Sequence, residues 1–159
     1  MPVSQTLCTS FKGEVLLGVH DFRVTTGDTF KLALYTSAAN IGPDTTAYSA
    51  TNEVVGDGYS AGGVTLVNTG VSTSNVQYGS SLGVGYTSFE TVTLPASSIT
   101  AAGALIYNTT PSANGVDGLP LTNPAVCVLD FGGDKTTVGT TFTITFPTAA
   151  GSTAIIRVA

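Results

Sequence analysis

Apolar and polar positions alternate cleanly over Thr140 to Phe146. Phe142, Ile144 and Phe146 take one face of an extended chain, and Thr141, Thr143 and Thr145 take the other. The same period of two runs through Phe30 to Tyr35 and through Phe89 to Leu94, predicting strands with one buried and one hydrated face. Further strand signals fall at Val64 to Val67, Asn75 to Tyr78, Gly83 to Tyr86 and Ala154 to Val158. Ile99 to Asn108 and Ala125 to Phe131 differ, being apolar on both faces, which predicts strands covered on both sides.

Near the start of the chain the period changes. Leu7, Cys8, Phe11 and Val15 return at helical spacing, so a helix is predicted over 4–19, with Ser4 as its cap and Gly18 as its stop. It should pack on the sheet or on a neighbouring subunit. Two long stretches carry turn residues instead of a period. One is Ser37 to Ser49, with Gly42, Pro43 and Asp44, followed by Thr51 to Val55 as a short strand or return arm. The other is Thr109 to Asn123, with Pro111, Asn114, Gly115, Asp117, Gly118 and Pro120.

About eight to ten short strands separated by turn signals predict an all-β fold, an antiparallel β-sandwich of jelly-roll or Greek-key type with one N-terminal helix. With no internal repeat or linker, residues 1–159 read as a single domain. Composition agrees with this, because charged residues make up only 9% of the chain against roughly 25% in ordinary soluble proteins, and Thr, Ser and Gly fill their place. A surface so poor in charge suits one covered by neighbouring subunits.

The formal net charge of −5 and the scatter of Lys12, Arg23, Lys31, Lys135 and Arg157 argue against direct nucleic-acid binding or attachment to an anionic membrane. The N-terminal residues lack the pattern of a secretion signal, and no apolar run reaches the length of a membrane span. Cys8 and Cys127 read as buried free thiols.

Candidate chemistry is thin. His20 beside Asp21 could form a base with its orienter, but no nucleophile set accompanies it, and a histidine at a helix end is favoured by the helix dipole alone. Asp57, Asp117, Asp130 and Asp134 sit among glycines without the spacing of a calcium loop, so no metal or other cofactor is expected and the aspartates read as turn residues. Asn108, Thr109 and Thr110 form a glycosylation sequon that acts only in a secretory pathway. Tyr48 and Tyr59, in glycine- and threonine-rich surroundings, are the candidate interaction residues.

The segments TLCTSFKGEVLLGVHDF, FKLALYTS, TTAYSATNEV, GYSAGG, GALIYN, AVCVLDFGGDKT, TFTITFP and AIIRV together resemble a group of small structural proteins of tailed bacteriophages. The resemblance covers nearly the whole chain. It implies a non-enzymatic virion component assembled in the host cytoplasm, and it brings no catalytic residue with it. The expected role is a capsid decoration or cement protein, a homo-oligomer such as a trimer, in contact with virion proteins such as the major capsid protein. The alternative is a tail-associated adhesin or fibre module presenting loops 37–50 and 109–124 to a host glycan.

Overall fold

In a computed structural model, residues 3–69, 85–111, 121–150 and 153–158 are described. These residues are mostly β, with antiparallel sheets and one short helix. Strands β1 (Thr6–Leu7), β2 (Phe30–Tyr35), β3 (Val64–Thr65), β5 (Val92–Asn108) and β6 (Ala125–Ile144) form a five-stranded sheet in the order β1-β6-β5-β2-β3. A second, two-stranded sheet pairs β4 (Gly85–Thr87) with β7 (Ile156–Val158). The expected strand at Asn75 to Tyr78 lies outside the described residues.

The expectation of many short strands is corrected by β5 and β6. The alternation predicts separate strands at Phe89 to Leu94 and Ile99 to Asn108, but Val92 to Asn108 is one strand of 17 residues. Pro95, which argues against a continuous strand in sequence, is accommodated where the register shifts between Leu94 and Ser97, with Ala96 at φ 50°. Ala125 to Phe131 and Thr140 to Phe146 likewise belong to one chain path, the 20-residue β6, which ends at Ile144. The intervening Gly132 to Gly139 does not turn back. The extra residues bulge out between the pairs Gly103–Asp130 and Ala101–Lys135, and the ladder with β5 resumes beyond them.

The β5–β6 hairpin therefore has two halves. Its inner half, 103–108 with 125–130, lies in the middle of the large sheet between β2 and β1. Its outer half, 92–101 with 135–144, extends past β2 as a two-stranded ribbon. There Val92, Leu94, Ile99, Phe142 and Ile144 turn inward, while Thr93, Thr100, Thr136, Thr140, Thr141 and Thr143 are exposed.

The helical expectation over 4–19 also requires correction. Residues Ser4 and Thr6 are extended: Ser4 N–H donates to Ile41 O at 3.0 Å, and Thr6 and Leu7 pair with Val128 and Cys127 of β6. Helix α1 spans only Thr9–Leu16, with Cys8 in the cap position and no side-chain cap bond. Its end matches the expected stop. Gly18 at φ 71° donates to Val15 O at 3.1 Å and Val19 N–H donates to Glu14 O at 3.0 Å, closing a Schellman motif that needs a left-handed residue. Phe11 is buried against the core, whereas Leu16 is 88% exposed and Leu17 also faces solvent.

Register sorts the two buried faces of the central strands. Phe30, Leu32 and Leu34 lie opposite Asn108, Ile106 and Ala104 on one face, and Lys31, Ala33 and Tyr35 lie opposite Tyr107, Leu105 and Gly103 on the other. Residues 32–35, 101–108 and 124–129 are all buried, so both faces of this part of the sheet are covered. Each cover carries a cluster of polar side chains.

Candidate functional site

Residues 36–63 form a strap over the face that carries Tyr35 and Tyr107. Thr36 N–H donates to Asn52 O at 3.0 Å and Val54 N–H donates to Leu34 O at 2.9 Å, tying the strap to β2. Asn52 at φ 62° makes the bend that delivers Glu53 to an isolated bridge with Tyr35. The stretch from Ser37 to Ser49, expected as a surface loop, contributes Ala39 and Ile41 to the core. At its far end Gly63 adopts φ 76°, and a Cβ there would stand 2.0 Å from Leu32 O, so only glycine lets the strap close onto β2.

The buried Glu53 carboxylate is the hub of this face. Its Oε2 accepts from the Tyr48 hydroxyl at 2.6 Å, and its Oε1 accepts from the Tyr59 hydroxyl at 2.6 Å and from Gly62 N–H at 2.8 Å. Tyr59 also accepts from Leu34 N–H at 2.9 Å, so one hydroxyl joins β2 to the carboxylate. Tyr107 donates to Gly62 O at 2.5 Å and Tyr35 to Ser49 O at 2.6 Å. The rings of Tyr48 and Tyr107 stack with centroids 4.7 Å apart.

Electrostatics make these phenols firm donors. Burial, reinforced by the bond to Glu53, pushes Tyr48 up to about 12 and raises Tyr59 still further, while burial raises Tyr35 and Tyr107 as well. A phenol raised in this way is a poor proton acceptor or nucleophile near neutral pH and a good partner for a carboxylate. The arrangement holds the strap to the sheet. Tyr48 and Tyr59, the two residues singled out in the sequence, are brought together here, with their hydroxyls turned to Glu53 rather than outward.

The opposite face carries His20, whose side chain is 0% exposed. Asn108 Oδ1 accepts from Thr110 N–H at 2.9 Å, and Asn108 Nδ2 donates to Asp28 Oδ2 at 2.7 Å while lying 3.1 Å from His20 Nδ1. With the amide oriented by these bonds, Nδ1 is the acceptor and Nε2 carries the proton, which it donates to Glu14 Oε2 at 2.7 Å. Phe11 packs 5.0 Å from the imidazole, and Phe22 stacks on Phe30 at 4.4 Å beside it.

His20 is thus not oriented by Asp21. The Asp21 carboxylate binds Arg23 through its Nε and Nη2 atoms, and that hydrogen bonding holds it below the usual carboxylate range. Nor does His20 sit at the helix terminus, since α1 stops at Leu16. Both ring nitrogens are occupied by Glu14 and Asn108, so the imidazole fastens α1 and the 19–29 segment to β2 and β5. Asn108, the sequon asparagine, is fully buried in the folded chain with its amide committed to these bonds.

The other candidates are dispersed. Asp130 Oδ1 accepts from Gly132 N–H at 2.8 Å within the β6 bulge, and Asp57 makes an isolated bridge with Ser98. Asp117 lies outside the described residues. Among the described residues, no group of three or more His, Cys, Asp or Glu side chains is placed to hold a metal ion. Cys8 and Cys127 are buried free thiols, and burial pushes Cys8 up to about 12 and Cys127 higher. No protein-family model matches this chain, and no curated protein or solved structure is significantly similar to it.

Proposed function

We propose that this chain is a non-enzymatic structural protein of a bacteriophage virion, a capsid decoration or cement protein that stabilises the shell through protein–protein contacts. It is assembled in the host cytoplasm, works in the virion as a homo-oligomer, and contacts other virion proteins such as the major capsid protein. The observation that carries this reading is the outer β5–β6 ribbon, whose exposed face is long, threonine-rich and nearly uncharged and suits contact with other protein surfaces. The polar clusters point the same way, because Glu53, His20 and their partners spend their hydrogen bonds on holding the strap and α1 in place. The finer architecture belongs to the same proposal: the two sheets are read as a sandwich of jelly-roll or Greek-key type.

Mass spectrometry of purified particles, followed by localisation in a reconstructed virion, tests the function. The expected result is a stoichiometric component on the outer capsid surface. Absence from particles, or a position on the tail with glycan binding by the isolated chain, would overturn it.

A further inference from the structure

The β6 strand is paired on one side by β5 along its length, but on the other side β1 covers it only at Cys127 and Val128. From Leu129 to Ile144 it has no second strand neighbour among the described residues. Beside this edge runs an open groove of about 550 Å³, with Phe131, Phe142, Ile144, Phe146 and Ile155 in its lining. Half of the main-chain N–H and C=O groups of an antiparallel edge strand point away from its one neighbour, and they match another extended chain.

Edges are ordinarily guarded by charges, bulges or proline. Here the guards stand at the two ends: the bulge with Asp134 and Lys135 before the stretch, and Pro147 after it. Between them, Thr136 to Phe146 contains neither charge nor proline.

We propose that this edge pairs antiparallel with the same edge of a second copy of the chain, joining the two large sheets across a twofold axis at Thr143. The inference rests on the homo-oligomeric part of the function proposed above. In this register Thr141 lies opposite Thr145 of the second copy and Phe142 lies opposite Ile144. Threonine therefore meets threonine on one face and apolar meets apolar on the other. Pairing ends where Pro147, which has no N–H, falls opposite Gly139. The chain already uses such contacts internally: Thr93 lies opposite Thr143, and the Thr100 and Thr136 hydroxyls are 2.8 Å apart. Two copies of a chain with net charge −5 repel one another, and this uncharged stretch is where they can meet without opposing like charges.

The test is sedimentation of the purified full chain with Thr143→Lys and Thr143→Glu, both at an exposed position. Wild type is expected to self-associate. Either variant alone should weaken association at least tenfold with an unchanged circular dichroism spectrum, and an equimolar mixture of the two should restore it as a heterodimer. As a check on register, T141E/T145K in one chain should associate at least as tightly as wild type, and T141K/T145K should not. Amide exchange of residues 140–146 should slow as concentration rises. A wild-type chain that stays monomeric, variants that associate like wild type, or edge amides already protected in the monomer would each overturn the proposal. Because every readout uses the isolated chain, its failure is distinguishable from absence of the protein from particles.

Discussion

Replacing Tyr59 with Phe removes one oxygen that serves two partners. The hydroxyl donates to Glu53 at 2.6 Å and accepts from Leu34 N–H at 2.9 Å, and Leu34 is fully buried. A hydrogen bond to a charged group contributes about 1.5–3 kcal/mol, and a stranded buried N–H costs about 1–3 kcal/mol. Because the two losses share one cavity and partial relaxation, a destabilisation of about 3 kcal/mol is expected, equivalent to a fall in Tm of about 6–12 °C for a chain of this size. Tyr48→Phe loses the bond to Glu53 without stranding a buried main-chain N–H of β2, and should cost about 1–2 kcal/mol. The assay is urea unfolding followed by far-UV circular dichroism, with each substitution repeated in a Glu53→Gln background. There the cost of Tyr59→Phe should shrink by about 1 kcal/mol, the mark of direct coupling. If Tyr59→Phe costs no more than Tyr48→Phe, or if its cost is the same with and without Glu53→Gln, the carboxylate is not the hub described above.

Alkaline pH should act on the same cluster. The folded-state values of Tyr48, Tyr59, Tyr35 and Tyr107 lie above the unfolded value of about 10, so the folded chain holds more protons than the unfolded chain in that range. Their contribution is complete below pH of about 10 and is lost as pH rises towards about 12, the value for Tyr48. Ionisation of these four tyrosines, followed residue by residue, should therefore appear together with loss of structure, and any of the four ionising in an intact fold would contradict this. Cys8 and Cys127 should react with a thiol reagent at the rate of unfolding in native buffer, not at the rate of an exposed thiol. The single histidine should show nitrogen chemical shifts of the Nε2–H tautomer in the native state, and the Nδ1–H form would refute the orientation assigned to Asn108.

Local pattern revealed some elements and concealed others for identifiable reasons. Phe30 to Tyr35 was legible because its alternation is bounded by turn residues, and Gly18 was legible as a helix stop. The unity of β5 was hidden by Pro95, and that of β6 by a Gly-Gly-Asp run that bulges rather than turns. Whether such residues break a strand depends on the partner strand, which no single-sequence window contains. The helix lost Ser4 to Leu7 because main-chain partners on Ile41 and β6 competed for them. In the site, Tyr48 and Tyr59 stood out by their setting, but Glu53, Tyr35 and Tyr107 did not. The available signal was a glutamate beside two valines, between two tyrosines, in a chain with so few charges. His20 and Asn108, 88 residues apart, share no local signature.

That separation bears on the order of events as the chain folds. Asn108, at the end of β5, is needed by both His20 and Asp28, and Tyr107 beside it reaches back to Gly62 on the strap. The strap can meet β2 early through Asn52, Val54 and Tyr59, but the His20 cover and the bond from Tyr107 to Gly62 wait until more than half of the chain has been synthesised and β5 has docked on β2. Closing such long loops before any contact rewards them slows folding. Completion of both covers is therefore a late event, expected as a slow folding phase that depends on Asn108 and Tyr107 rather than on the contacts the strap makes with β2 alone.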